Sequence, residues 1–180
     1  RLGTELAIAE MLLSGTTTYS DMYFLPEVAA EVSTELGIRT QLAFPIIEFP
    51  NVWSDDAADA IHKGLALFNK YRHHDRVRIA LGPHSAYSLS TTELETIGAY
   101  SAELEIPIQI HLHETAVEVA DAHALQGQSW VERLHDMGLH GPHLQAVHMT
   151  QLSPGELDII ADTRTQVVHC PTSNLKLASG

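Results

Sequence analysis

The chain is poor in cysteine, in basic residues and in long apolar runs, and each shortage excludes something. Cys170 is the single cysteine in 180 residues. One thiol cannot close an internal disulfide or build a cysteine-rich zinc site, which suits a reducing compartment, with cytoplasm as the expectation. Only 10 Lys+Arg stand against 23 Asp+Glu, a formal net charge of -13. That balance repels a phosphate backbone and no basic cluster offsets it, so no nucleic acid polymer is expected as a partner, while a single nucleoside stays open. No apolar run approaches the roughly 20 residues that span a bilayer, and the first residues lack the charged and apolar regions of a signal peptide, so no membrane partner is expected. The chain starts without Met, inside an amphipathic pattern, and ends at Ser179-Gly180 after a polar loop; it reads as a piece of something longer.

What is present is the composition of a folded domain, with 44% hydrophobic and 18% charged residues. Along the chain, strand and helix signals alternate. Leu2, Leu6, Ile8, Ala9 and Leu12 fall at helical spacing before Ser14-Gly15, and Thr16 to Tyr19 reads as a strand. A helix from Pro26 to Gly37 follows, then a strand over 40–44, a loop from Pro45 to Ser54, a helix from Asp55 or Asp56 to about Tyr71, and a strand over 77–81. Ser90 or Thr91 caps a helix to about Glu105; strands over 107–110, 144–147 and 166–168 complete the set, separated by a helical stretch over 116–137 broken near Gly127 and a helix opening at Ser153. Strict alternation means parallel strands joined by crossovers. No Gly-x-Gly-x-x-Gly or Walker sequence follows any strand, which disfavours an open nucleotide-binding sheet and favours a (β/α)8 barrel missing some of its units.

Histidines carry the chemistry. Of 12 in the chain, His62, His73, His74, His123, His135, His140 and His143 fall on helices or polar loops and are expected at the solvated surface. His84, His111, His148 and His169 each stand at or just past the C-terminal end of a different predicted strand, the rim where barrel side chains converge on a ligand. The segment His111-Leu112-His113-Glu114 is the most informative. A neutral imidazole at a strand terminus suits zinc, and a carboxylate three residues on can reach a substrate held over the metal. His111 and His113, two residues apart, also match the paired histidines of a first barrel strand. Three strand-helix units precede them, however, which makes His111 the ligand and gives His113 a supporting role.

Five segments in this order resemble the amidohydrolase superfamily: Gly15-Thr-Thr-Thr-Tyr-Ser-Asp-Met-Tyr23, Gly82-Pro-His-Ser85, His111-Leu-His-Glu-Thr115, Ala146-Val-His148 and His169-Cys-Pro-Thr-Ser-Asn-Leu-Lys-Leu177. They are most similar to its methylthioadenosine/S-adenosylhomocysteine deaminases and the chlorohydrolase-like deaminases beside them. The resemblance implies an α/β fold, a partial (β/α)8 TIM barrel of the metal-dependent hydrolase type lacking its first and last strands and the flanking β-sandwich, with residues 1–180 as one partial catalytic domain. It implies His111 as a ligand to one Zn2+, with Fe2+ as an alternative. It implies Glu114 as acid/base and substrate contact, His148 as a proton-handling or substrate-orienting residue, and His84 as a nucleoside contact. No role for His169 follows beyond the rim.

The implied reaction is hydrolytic deamination of an adenine nucleoside to the inosine derivative and ammonia: Glu114 protonates ring nitrogen N1 while hydroxide attacks C6. A single cysteine excludes the Pro-Cys-x-x-Cys nucleobase deaminases. Relatives that accept S-adenosylhomocysteine carry arginines after the third strand, whereas residues 45–53 here have none. The expectation is a preference for methylthioadenosine, with Phe49 or Trp53 near its methylthio group. Two alternatives stand beside this reading: action on another nucleobase or a chlorinated triazine, and a non-catalytic fragment whose open strand edges self-associate into a homo-oligomer. With the other metal ligands outside these residues, the isolated chain is expected to show no turnover.

Overall fold

The computed structural model describes residues 1–180, and the chain divides into two compact units, Arg1–Gly82 and Pro83–Gly180. The first unit runs α1 (Leu2–Leu13), β1 (Thr18–Met22), α2 (Pro26–Leu36), β2 (Arg39–Ile46), α3 (Ala57–Tyr71) and β3 (Val77–Pro83). β1 and β2 pair in parallel, from Thr18 opposite Arg39 to Met22 opposite Ala43. Leu42, Ala43 and Phe44 are all buried, as are Ile79, Ala80 and Leu81. Burial of consecutive residues, whose side chains point to opposite faces, is the mark of a parallel strand covered on both sides. β2 and β3 approach closely: a Cβ on Gly82 would lie 2.5 Å from the Phe44 carbonyl oxygen, so no larger residue fits there.

The second unit runs through a 3₁₀ turn (Ala86–Ser88), α4 (Thr91–Leu104), β4 (Ile108–Leu112), α5 (Ala116–Gln126), α6 (Trp130–Asp136), β5 (Leu144–His148), α7 (Pro154–Thr163), β6 (Gln166–Val168) and α8 (Pro171–Leu177). β4 pairs in parallel with β5, and β5 with β6. Helix starts are marked by side chains. Ser90, Ser129 and Ser153 each accept from the third helical N–H, and the glutamate at that position caps them in return. No helix is long and apolar enough to cross a membrane.

The expected elements appear with three main differences. β1 begins at Thr18 rather than Thr16, because Gly15 turns left-handed (φ 87°) and the Thr16 N–H closes α1 on the Met11 carbonyl. β2 continues to Ile46 through Pro45; the missing donor is tolerated near a strand end. The stretch after Cys170, expected as loop, is helix α8 with Pro171 in its first turn, where proline's lost N–H would be unpaired in any case.

His140, expected at the surface, is 9% exposed. Its Nε2–H donates to the Val131 carbonyl (3.1 Å), and its Nδ1 accepts from the Thr165 hydroxyl (2.9 Å). Burial pushes its pKa down to about 4, against the opposing pull of the Val131 carbonyl. The folded state therefore holds His140 neutral, while the unfolded chain protonates near 6.5. Stability present above that value is lost as pH falls toward about 4, a contribution on the order of 3 kcal/mol. In urea unfolding from pH 7 to pH 4, the stability gap between wild type and His140→Asn should narrow with acid; a constant gap would exclude His140 as the titrating group.

Candidate active site

Four of the candidate residues, His84, His111, Glu114 and His148, lie in the second unit, His84 ahead of the 3₁₀ turn and the others at or just past the C-terminal ends of β4 and β5. His111 is the fourth residue of β4, and His84 follows β3 directly. The His84 carbonyl accepts both the His111 backbone N–H (3.2 Å) and its Nδ1–H (2.7 Å). A proton on Nδ1 leaves Nε2 with a free lone pair, the form a metal ligand requires. The His84 ring sits 5.0 Å from the His111 ring. Burial first, and the neighbouring His111 second, push the His84 pKa down, with Glu114 pulling the other way. His84 is thus held as a neutral hydrogen-bonding group.

His148 reaches the cluster through its backbone. Parallel register sets Leu112 opposite His148 and Val147 opposite His111, so regular alternation would place the His148 side chain on the Leu112 face, away from His111. His148 instead has φ 79° and Met149 φ 52°. Left-handed backbone at two successive non-glycine residues costs on the order of 1–3 kcal/mol each. It ends the alternation and brings the His148 ring to 5.6 Å from the His111 ring. There His148 Nε2 lies 3.5 Å from Glu114 Oε1.

Glu114 is held by its own turn. The backbone N–H groups of His113 and Glu114 donate to the two oxygens of Glu118 (2.9 and 2.8 Å), and the Thr150 hydroxyl donates to the Glu114 carbonyl (2.8 Å). Glu118 is the third residue of α5, capped by Thr115. Its carboxylate therefore sits among unpaired helix N–H groups, where negative charge is favoured. The turn is anchored without using the Glu114 carboxylate, which stays free for chemistry.

His113 does not share the face of His111. β4 ends at Leu112, and φ 50° at His113 turns the side chain into the interior, fully buried. Its Nδ1–H donates to the Gln151 carbonyl (2.8 Å), and its Nε2 accepts from the Val131 N–H at 3.4 Å. That is a structural role. His169 is exposed just past β6. The Cys170 thiol is pushed up by burial and by the charge of Glu114, which keeps it protonated and poorly nucleophilic.

The two aromatics offered as alternatives beside the substrate, Phe49 and Trp53, differ in their surroundings. Trp53 is 7% exposed, packs tilted against Phe44 with ring centroids 6.3 Å apart and donates Nε1–H to Glu27 (3.0 Å), so it packs its loop; Phe49 is exposed. Residues absent from the sequence expectation are Glu118, Thr150 and Asn174, which support the site rather than line it. Thr115-x-x-Glu118 is a legible helix-capping pattern; Thr150 carries no local signal, and Asn174 lies in the His169–Leu177 segment that carries the resemblance, with no role assigned to it there. Asn174 donates Nδ2–H to His148 Nδ1 at 3.2 Å.

No group of three or more His, Cys, Asp or Glu side chains is placed to hold a metal ion. His111 nevertheless fits zinc as one ligand, since its lone pair is fixed on Nε2. Histidines at the ends of successive parallel strands, with a carboxylate beside them, define the rim of a hydrolase barrel. The chain belongs to the amidohydrolase family, whose model matches residues 1–180. It is 51% identical over 178 residues to a 5-methylthioadenosine/S-adenosylhomocysteine deaminase of Saccharophagus degradans, and 46% identical over 180 residues to the one of Teredinibacter turnerae. These alignments cover 99% and 100% of the chain but 40% and 41% of the relatives, so the chain spans about two fifths of their length.

Among solved structures, a zinc-bound adenosine deaminase from Xanthomonas campestris matches with a TM-score of 0.96 and 40% identity, over 99% of this chain and 40% of that one. A zinc complex of atrazine chlorohydrolase from Arthrobacter aurescens matches at 0.89 with 20% identity, over 98% and 43%, which shows the fold alone. The fold is the partial (β/α)8 barrel expected from the sequence.

Proposed function

We propose that this chain carries the central part of a zinc-dependent deaminase that converts an adenine nucleoside, 5′-methylthioadenosine above others, to its inosine derivative and ammonia. The observation that carries the reading is the placement of a ligand-ready His111 beside the His148 and Glu114 pair, 3.5 Å apart. Relatives named as deaminases at 46–51% identity favour deamination over dechlorination, for which the similarity is 20%.

Adenine presents a poor leaving group on an electron-rich ring, so the enzyme must deliver a proton to the ring as the nucleophile arrives. Zinc, when bound with His111 among its ligands, supplies the Lewis acidity that makes water a nucleophile near neutral pH; Fe2+ would supply the same. Glu114, when protonated, donates to N1 while water oxygen forms its bond to C6. The Glu114 carboxylate left by that transfer takes a proton from the attacking water and passes it to the exocyclic nitrogen, so that the C6–N bond breaks to release ammonia, and takes the remaining hydroxyl proton as the C6 carbonyl forms. His148, through its Nε2–H, orients the Glu114 carboxylate and the attacking oxygen. His84, held neutral, hydrogen-bonds the nucleoside. The anchored turn at Glu114 fixes the distance over which the proton travels.

The loop over residues 45–53 offers no guanidinium to an amino-acid carboxylate. On full-length protein, kcat/KM for 5′-methylthioadenosine should exceed that for S-adenosylhomocysteine by about tenfold or more, the size of one charge-assisted hydrogen bond at roughly 1.5–3 kcal/mol. Equal values would remove the preference. Absence of ammonia release from either nucleoside by the zinc-loaded protein would remove the deaminase reading.

A further inference from the structure

The least expected contact at the site is made from α8. Asn174 is 6% exposed, and its side-chain nitrogen lies 3.2 Å from His148 Nδ1 and 3.2 Å from the Ser179 hydroxyl, while its Oδ1 is buried with no partner. We propose that Asn174 is a positioning residue for His148: its carboxamide decides which ring nitrogen carries the proton and aims the other end of the ring at Glu114.

Two arguments fix the direction of the amide. With nitrogen toward the ring, both amide hydrogens find acceptors and one oxygen is unmet. With the group reversed, the oxygen is satisfied and two buried donors are stranded, which is the costlier arrangement. An N–H donor at Nδ1 also requires that a neutral His148 carry its hydrogen on Nε2, which faces Glu114 Oε1 at 3.5 Å. The reversed amide would place the hydrogen on Nδ1 and set an Nε2 lone pair against a carboxylate oxygen.

His148 needs such an anchor because the strand does not supply one. Its φ of 79° takes the side chain out of the alternation that orients its neighbours in β5. The anchor is itself fixed by backbone: the Asn174 N–H donates to the Cys170 carbonyl, and the Asn174 carbonyl accepts from the Ser179 N–H, each at 3.0 Å. The unmet oxygen is the stability cost of holding the imidazole in one tautomer. The kinetic consequence rests on the deaminase reading; the tautomer does not.

The test uses full-length, zinc-loaded protein with 15N-labelled histidine, reading the His148 tautomer by NMR at one fixed pH without substrate. Wild type should show the Nε2–H form. Asn174→Asp keeps the shape and removes the donor, so a proton should appear on Nδ1, and kcat with 5′-methylthioadenosine should fall about 10- to 100-fold with KM changed less than about threefold. Should the buried carboxylate prevent folding, Asn174→Ala carries the same reading, with the fixed Nε2–H form giving way to a mixture of tautomers and the same fall in kcat. A folded variant that keeps the wild-type tautomer overturns the proposal, and so does a changed tautomer with unchanged kcat. A wild-type protein that shows the Nε2–H form but deaminates no adenine nucleoside would sink the functional reading while leaving the placement of the proton standing.

Discussion

Glu114→Gln in the full-length protein should lower kcat by about 10²- to 10⁴-fold, the span for removal of a general acid/base, with KM little changed and the protein folded. Glutamine keeps the size of the side chain and one oxygen but cannot release or regain a proton. The substitution is clean because of how the turn is built. Glu118 and Thr150 hold the backbone at His113 and Glu114, so the carboxylate at 114 is not what keeps the loop in place. Lost rate would then report lost proton transfer rather than a collapsed site. Steady-state kinetics with 5′-methylthioadenosine, beside a thermal melt, checks both halves; a near-normal kcat removes Glu114 from the mechanism.

His111→Ala should cost zinc as well as turnover. Even residues that only support a metal ligand are worth about 10- to 100-fold in affinity, so removing the ligand itself should exceed about 100-fold. The variant, purified and dialysed without added zinc, should carry well under one metal per chain by elemental analysis. His148→Ala provides the contrast. Its Nε2 faces Glu114 and its Nδ1 takes a hydrogen from Asn174, so its loss should leave zinc content near that of wild type while activity falls. Equal zinc loss in both variants would place His148 among the ligands and refute the division of labour drawn here.

Strand-helix alternation was legible because parallel strands are apolar on both faces and their crossover helices open with side-chain caps; both signals lie within a few neighbouring residues. The capping serines 90, 129 and 153 show it, each followed three residues later by glutamate. Errors arose where a distant contact outweighed the local pattern. His140 sits in a polar stretch, yet Thr165 and Val131 enclose it. Trp53 lies in a loop that could have faced substrate, and Glu27 and Phe44 hold it inside instead. The segment after Cys170 lacks a long periodic pattern, since a helix of seven residues spans only about two turns.

The linear chain by itself determined the class of fold and, through the order of its motifs, the resemblance to the family; strand-end spacing put His84, His111 and His148 at the rim, and the resemblance added Glu114. Only the tertiary structure decided how those residues face one another. Alternation along β5 points His148 away from His111, and the left-handed backbone at its end reverses that. The same kind of turn takes His113 out of contention as a ligand. The nitrogen on which each imidazole carries its proton is set by partners far along the chain, the His84 carbonyl for His111 and the Asn174 amide for His148. A hydrogen bond between residues 26 or 27 positions apart leaves no local trace, so only the folded chain reveals it.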